Sequence, residues 1–437
     1  MQGSPVIAGR EAFATRRPRI LVLYHFFPPD DVVSAQVFGG LCEGLASRGW
    51  DVEARPSNRS CFDPGARHLS RETWRGIRLH RVFRPPLSQS SNGGRILNSV
   101  WMTAAWSFAA VRSRFNPDVV LVGTDPILSV FALRAWKLFR PNVKRVHWVF
   151  DVYPDAAIAD GLLRENSLLA RLLTHIATSG VQAAHLVADI GACMRKRLPT
   201  GPGAQRETFP PWALLEAPIP LEADPEERRL LFGAARLGIL YSGSFGRAHS
   251  FLNLLALARR LRGTGIRFVF AVRGNREGEL RNAITPADEN VSFAPFVQEH
   301  ELARRLGAAD VHAMSLRTEW TGAVVPSKFQ AALAAGRPVL FDCSPEAAPA
   351  RWIEEYGLGW TLTPETLEPT ALDLLAISES PSRLATLKKR CYETYVTTFS
   401  RGKAIQAWDD ALRTLVFGPG ESTRVTGDGT SHGSAAV

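Results

Sequence analysis

The chain has 437 residues, 45% hydrophobic and 22% charged, which excludes a wholly disordered chain, a collagen-like repeat and a small disulfide scaffold. Lys+Arg exceed Asp+Glu by 52 to 42, a net charge of +10, and between Gly65 and Asn116 nine arginines stand against Glu72 alone. Such a stretch points to nucleic acid, membrane headgroups or a phosphorylated substrate, although an arginine-rich genome would also raise the total.

In chain order, residues 1–18 read as a polar, disordered tail with no apolar stretch of a signal peptide. Ile20–His25 is a continuous apolar run, expected as a strand buried on both faces. Helical spacing over Val33–Arg48 ends at Gly49. Gly76–Phe83 predicts a strand and Arg95–Phe115 an amphipathic helix. Asp118–Val122, Arg145–Phe150 and His185–Ile190 predict strands, separated by helices over Ile127–Leu138 and Leu163–Ala183. Residues 201–235 are dense in Pro and Gly, with Phe209-Pro210-Pro211-Trp212 at their centre, and are expected as a linker.

The alternation restarts at Leu237–Tyr241 and continues through strands at Arg267–Val272, Val291–Phe293, Asp310–Met314 and Pro338–Phe341. Helices are expected over Ser250–Leu261, His300–Leu306 and Pro326–Ala335, and from there to about Val416. Residues 418–437 read as a disordered Gly/Ser/Thr-rich tail. Two series of alternating strands and helices predict an α/β protein of two doubly wound, Rossmann-like domains, 19–200 and 236–382, facing a cleft. Ligands then bind beyond the carboxyl ends of the strands.

Four strand-end segments carry candidate chemistry. Gly243-Ser244-Phe245-Gly246-Arg247 follows a strand and precedes a helix, so Gly243 and Gly246 would let backbone N–H groups approach a phosphate and Arg247 would pair with it. An ordinary strand-to-helix turn is the alternative. Glu319-Trp320-Thr321-Gly322-Ala323-Val324-Val325-Pro326-Ser327-Lys328 runs into a helix that Ser327 can cap. Lys328, one of only seven lysines, opposes the helix dipole there unless an anion is bound. Arg273 begins a loop that would contact a base or phosphate, or simply be exposed. Asp151 and Asp155, with Thr124 at the neighbouring strand end, suit sugar hydroxyls or general-base work, or plain helix capping. No Ser/His/Asp order, HExxH or Walker A motif is present.

The order of these segments resembles the family-4 retaining glycosyltransferases of the GT-B fold, in the branch that builds bacterial surface polysaccharides. The matching residues are Pro28-Pro29, Arg48–Asp51, Asp151-x-x-Pro154-Asp155 with Gly161, Tyr241-x-Gly243-x-x-Gly246-Arg247, and Pro326-Ser327-Lys328 with Ala334-Ala335-Gly336-Arg337-Pro338. The resemblance implies transfer of a sugar, with retention, from a UDP- or GDP-sugar to a lipid-linked or saccharide acceptor, without a metal. It places the diphosphate on Arg247 and Lys328, supported by Ser327, Gly243, Gly246, Arg273 and Glu319, and the acceptor on Asp151, Asp155 and Thr124. The helices over 383–417 would cross back to the first domain. The chain departs from the family where a second glutamate is usual: eight residues after Glu319 stands Ser327, and five before Gly336 stands Ala331. A nucleotide-sugar epimerase or a silent binding subunit of the same architecture are the alternatives.

Five scattered cysteines (42, 61, 193, 343 and 391) without CxxC spacing predict a reducing compartment and no structural zinc. The most apolar helix, Ile96–Val111, contains Asn98, Ser99, Thr103 and Ser107 and falls short of the roughly 20 residues of a membrane span. A cytoplasmic protein is expected, touching an anionic inner membrane surface through 65–116. No nucleic-acid-binding module is evident.

Overall fold

In the computed structural model, residues 16–61, 63, 65–89, 91–199 and 203–419 are described. The expected terminal tails therefore lie outside the described residues, apart from 16–18 and 418–419. Among the described residues the chain forms two sheets. The first is eight-stranded: β1 Arg19–Leu23, β2 Asp51–Ala54, β3 Arg71–Trp74, β4 Ile77–His80, β5 Val119–Gly123, β6 Lys144–Val149, β7 Leu186–Asp189 and β8 Gln205–Thr208. Its order is β3-β4-β2-β1-β5-β6-β7-β8, and all pairs are parallel except β3 with β4. The second is a six-stranded parallel sheet, β9 Leu237–Ser244, β10 Ile266–Arg273, β11 Val291–Phe293, β12 Val311–Ser315, β13 Val339–Asp342 and β14 Gly359–Leu362, in the order β11-β10-β9-β12-β13-β14.

Helices cover both faces of each sheet, so the central strands are apolar along their whole length: β5 is buried at every position. The strands missing from the sequence reading are β2, β3, β8 and β14, each four residues long. Strand β8 falls inside the expected linker and, beside β7, ends the first sheet at Thr208. Its alternating polar residues, Gln-Arg-Glu-Thr, leave no apolar run to read.

The second passage between the domains lies beside the first. The helix Pro381–Thr394, expected to cross back, instead packs on the second domain through buried Cys391 and a 2.7 Å Lys388–Asp310 ion pair. A π-turn at Tyr395–Phe399 redirects the chain, and only the helix Arg401–Phe417 crosses. Glu216 of the first crossing ties the two together, accepting from the Tyr395 hydroxyl at 2.5 Å and from Arg401 N at 2.7 Å. The final helix completes the first domain's core. Trp408 is fully buried, 5.0 Å from the Trp148 ring and 4.5 Å from Phe209. Asp409 accepts from Trp50 Nε1 at 2.6 Å and from Arg413 at 2.8 Å.

Candidate functional site

The carboxyl ends of both sheets face one cleft. A 350 Å³ cavity there is lined from the first domain by Arg95, Thr124, Asp125, Asp151 and Tyr153, and from the second by Val325 and Ser327. The chain is stitched across this cleft: Asp151 bridges Val324 in antiparallel fashion, and Val152 N donates to Ala323 O at 2.8 Å. The approach is close at Gly191, where a Cβ would lie 2.7 Å from Ala348 Cβ. Two arginines strap the domains in opposite directions. Arg197 pairs with Asp155 at 3.1 Å and donates to Thr321 O and Glu319 O at 2.9 and 3.2 Å. Arg247 donates to Asp160 O at 3.0 Å and pairs with its carboxylate at 3.4 Å.

On the first domain's side, Asp151 follows β6, and burial, reinforced by the charge of Asp125, pushes its pKa up to about 6. Asp125 in turn lies 3.0 Å from His25 Nδ1, while His25 Nε2 faces Arg84 Nη1 at 3.4 Å. A guanidinium can only donate, so Nε2 accepts and Nδ1–H is given to Asp125. Thr124 is in the cavity wall, but its hydroxyl already accepts from Phe150 N at 2.8 Å. Asp155 starts a short helix and is held by Arg197. Asp125, His25 and Arg95 were not among the expected site residues. His25 and Asp125 are 100 residues apart in sequence, and only the pairing of β1 with β5 brings them together.

On the second domain's side, Lys328 is half-buried at the start of the helix Lys328–Ala334. Its Nζ donates to Ser244 O at 2.7 Å and stands 5.1 Å over the Tyr241 ring. Burial lowers its pKa to about 8. Gly243, at φ +118°, makes this possible: a Cβ there would lie 2.6 Å from Lys328 Cε. Gly246 begins the turn that carries Arg247 outward, and Arg273 ends β10 beside Ser244, its guanidinium 5.9 Å from the Phe296 ring. Ser327 lines the cavity but does not cap the helix with its side chain.

Glu319 is not brought to these groups. Its carboxylate pairs with Arg317 at 3.1 Å and lines a separate cavity with Asn253 and Asp342. His249, the histidine an epimerase would need, gives Nδ1–H to Ser315 O at 2.8 Å, and burial followed by the charge of Lys328 lowers its pKa to about 4. The arginine cluster is also not a uniform surface. Arg81 and Arg84 are buried, Arg81 paired with Glu72 at 2.9 Å, and Arg75 and Arg78 pair with Glu43 and Asp51 at 3.1 and 2.5 Å. Among the described residues no group of three or more His, Cys, Asp or Glu side chains is arranged to hold a metal ion, and no helix is long and apolar enough to cross a membrane.

No family model matches the chain. WbjE of Pseudomonas aeruginosa, named as a glycosyltransferase, is 27% identical over 64% of this chain and 72% of its own length. WcaI of Escherichia coli K12, named as a glycosyl transferase of colanic acid biosynthesis, is 24% identical over 80% of this chain and 89% of its own. Among solved structures, sucrose-phosphate synthase from Thermosynechococcus elongatus superposes with a TM-score of 0.66 at 16% identity, covering 92% of this chain and 99% of that one. Anabaena HepE in complex with UDP and glucose gives 0.61 at 14% identity, covering 91% and 100%. The fold is GT-B, two Rossmann-like domains closed on a cleft. With two relatives named as glycosyltransferases, the chain is a GT-B glycosyltransferase.

Proposed function

We propose that the protein is a retaining, family-4-like transferase that moves a sugar from a nucleoside diphosphate sugar to a lipid-linked or saccharide acceptor in surface polysaccharide synthesis. The observation that carries this reading is the single cavity in which Asp151 and Asp125 of one domain meet Ser327 of the other, next to Lys328. Lys328, Arg247 and the backbone around Gly243 would hold the diphosphate, and they supply positive charge to the leaving group without a metal. The bond from the anomeric carbon to the diphosphate breaks, and its electron pair leaves with the diphosphate. The acceptor oxygen bonds to the same face of that carbon and gives its proton to Asp151. WcaI is named for colanic acid synthesis, which supports the pathway class, and the motif order of the second domain supports retention.

The test is a screen of UDP- and GDP-sugars with and without a polyprenyl diphosphate sugar acceptor. Release of nucleoside diphosphate only with acceptor, and a product whose anomeric NMR coupling matches that of the donor, is the expected result. Donor epimerisation without acceptor, or an inverted product, would overturn it.

A further inference from the structure

The helix Asn92–Arg112 buries Met102 and Trp106 on its inner face and yet is apolar on its outer face as well. Its polar Asn98, Ser99 and Thr103 are 0%, 3% and 6% exposed, whereas Ile96, Leu97, Val100, Trp101, Phe108 and Val111 are between 46% and 58% exposed. The polar residues inside are used: Asn98 donates to Leu87 O at 2.9 Å, and Ser99 Oγ accepts from Leu128 N at 3.2 Å. The outward positions recur every three or four residues and so form one stripe. The helix Ala132–Phe139 packs beside it and exposes Leu138 and Phe139. Leu168–Val181 packs beside that and exposes Leu168, Leu169 and Leu172.

The cations on these helices, Arg95, Arg112, Arg134, Lys137 and Arg171, are all exposed, and none of the three helices contains Asp or Glu. A bare apolar surface of this extent is ordinarily covered. We infer that these three helices form one docking face for an anionic lipid bilayer, with the apolar side chains entering the headgroup boundary and the arginines meeting lipid phosphates. A second copy of the chain fits worse, because a twofold contact would set this all-cationic face against itself.

The face differs from the expected 65–116 patch, since two of its helices lie outside that segment and the arginines at 75, 78, 81 and 84 are occupied internally. It also leads to the site. Arg95 and Ser99 of the first helix line the cavity that holds Asp151, and Ala177, Thr178 and Val181 of the third line its neighbour. An acceptor whose lipid stays in the bilayer would thus present its sugar at Arg95. This last step rests on the lipid-linked acceptor proposed above; the face itself does not.

Flotation of the purified chain with vesicles of phosphatidylethanolamine and phosphatidylglycerol, without acceptor, tests the face. Binding is expected there and about tenfold weaker on phosphatidylcholine alone. Leu97→Ser with Phe108→Ser is expected to lose about tenfold or more. Arg134→Glu with Lys137→Glu is expected to lose binding and its salt dependence, with melting temperatures of both variants unchanged. Absence of flotation, or equal flotation of wild type and both variants, overturns the face. So does a dimer in sedimentation that Leu97→Ser with Phe108→Ser dissolves. Flotation with no turnover of any lipid-linked acceptor keeps the face and overturns the acceptor reading. Turnover without flotation does the reverse.

Discussion

The two sheets are built alike, and their carboxyl edges face the same cleft with opposite chemistry. The first domain ends its strands in Asp125, Asp151 and Asp155, the second in Gly243, Arg247, Arg273, Ser327 and Lys328. Each edge holds one group whose charge is poorly compensated. Asp151 is half-buried near another carboxylate, and Lys328 is half-buried with a carbonyl and a ring but, among the described residues, no carboxylate. An acidic edge suits hydroxyls that must lose protons, and a basic edge suits a diphosphate that must leave. The division of labour therefore lies in the strand-end residues, not in the architecture.

Substitutions on the two edges should break this contrast unequally. Lys328→Ala is expected to cost the most, about a hundredfold to a thousandfold in kcat/KM, read in a coupled assay for nucleoside diphosphate release. Asp151→Asn should cost about a hundredfold in kcat with donor KM nearly unchanged. In the wild type, activity should fall as pH drops through about 6 and Asp151 takes up its proton. Arg247→Ala should raise donor KM about tenfold, since Arg247 is bonded to Asp160 before any donor arrives. The smallest effect is expected from Asp125→Asn. Removing that charge favours ionised Asp151, so the acidic limb of the pH profile should move to lower pH. A limb that stays in place, or moves up, would separate the two carboxylates.

Most of the fold was legible because the buried strands are apolar from end to end, as in Ile20–Leu23 and Val119–Gly123. The four missed strands are short, and β3 and β8 lie at the sheet edge, where one polar face erases the apolar run. Lys328 and Gly243 were legible because an odd lysine and a glycine stand at strand ends, and the structure shows that the glycine clears space for the lysine. The His25–Asp125 pair was not legible, since Asp125 showed only as a strand-end residue or a helix cap and its contact with His25 depends on strand pairing alone. Glu319 misled because sequence spacing cannot tell which cavity a loop side chain enters.

The placement of Trp408 has a consequence for biosynthesis. The helix that carries it seals the core of the domain made first, by way of Trp148 and Phe209. A chain emerging from the ribosome must therefore hold that core unsealed until the whole second domain has been translated, against the usual order in which N-terminal domains mature first. Trp408→Ala, at a cost of about 3–5 kcal/mol, should then destabilise the first domain more than the second, although the residue lies beyond both in sequence.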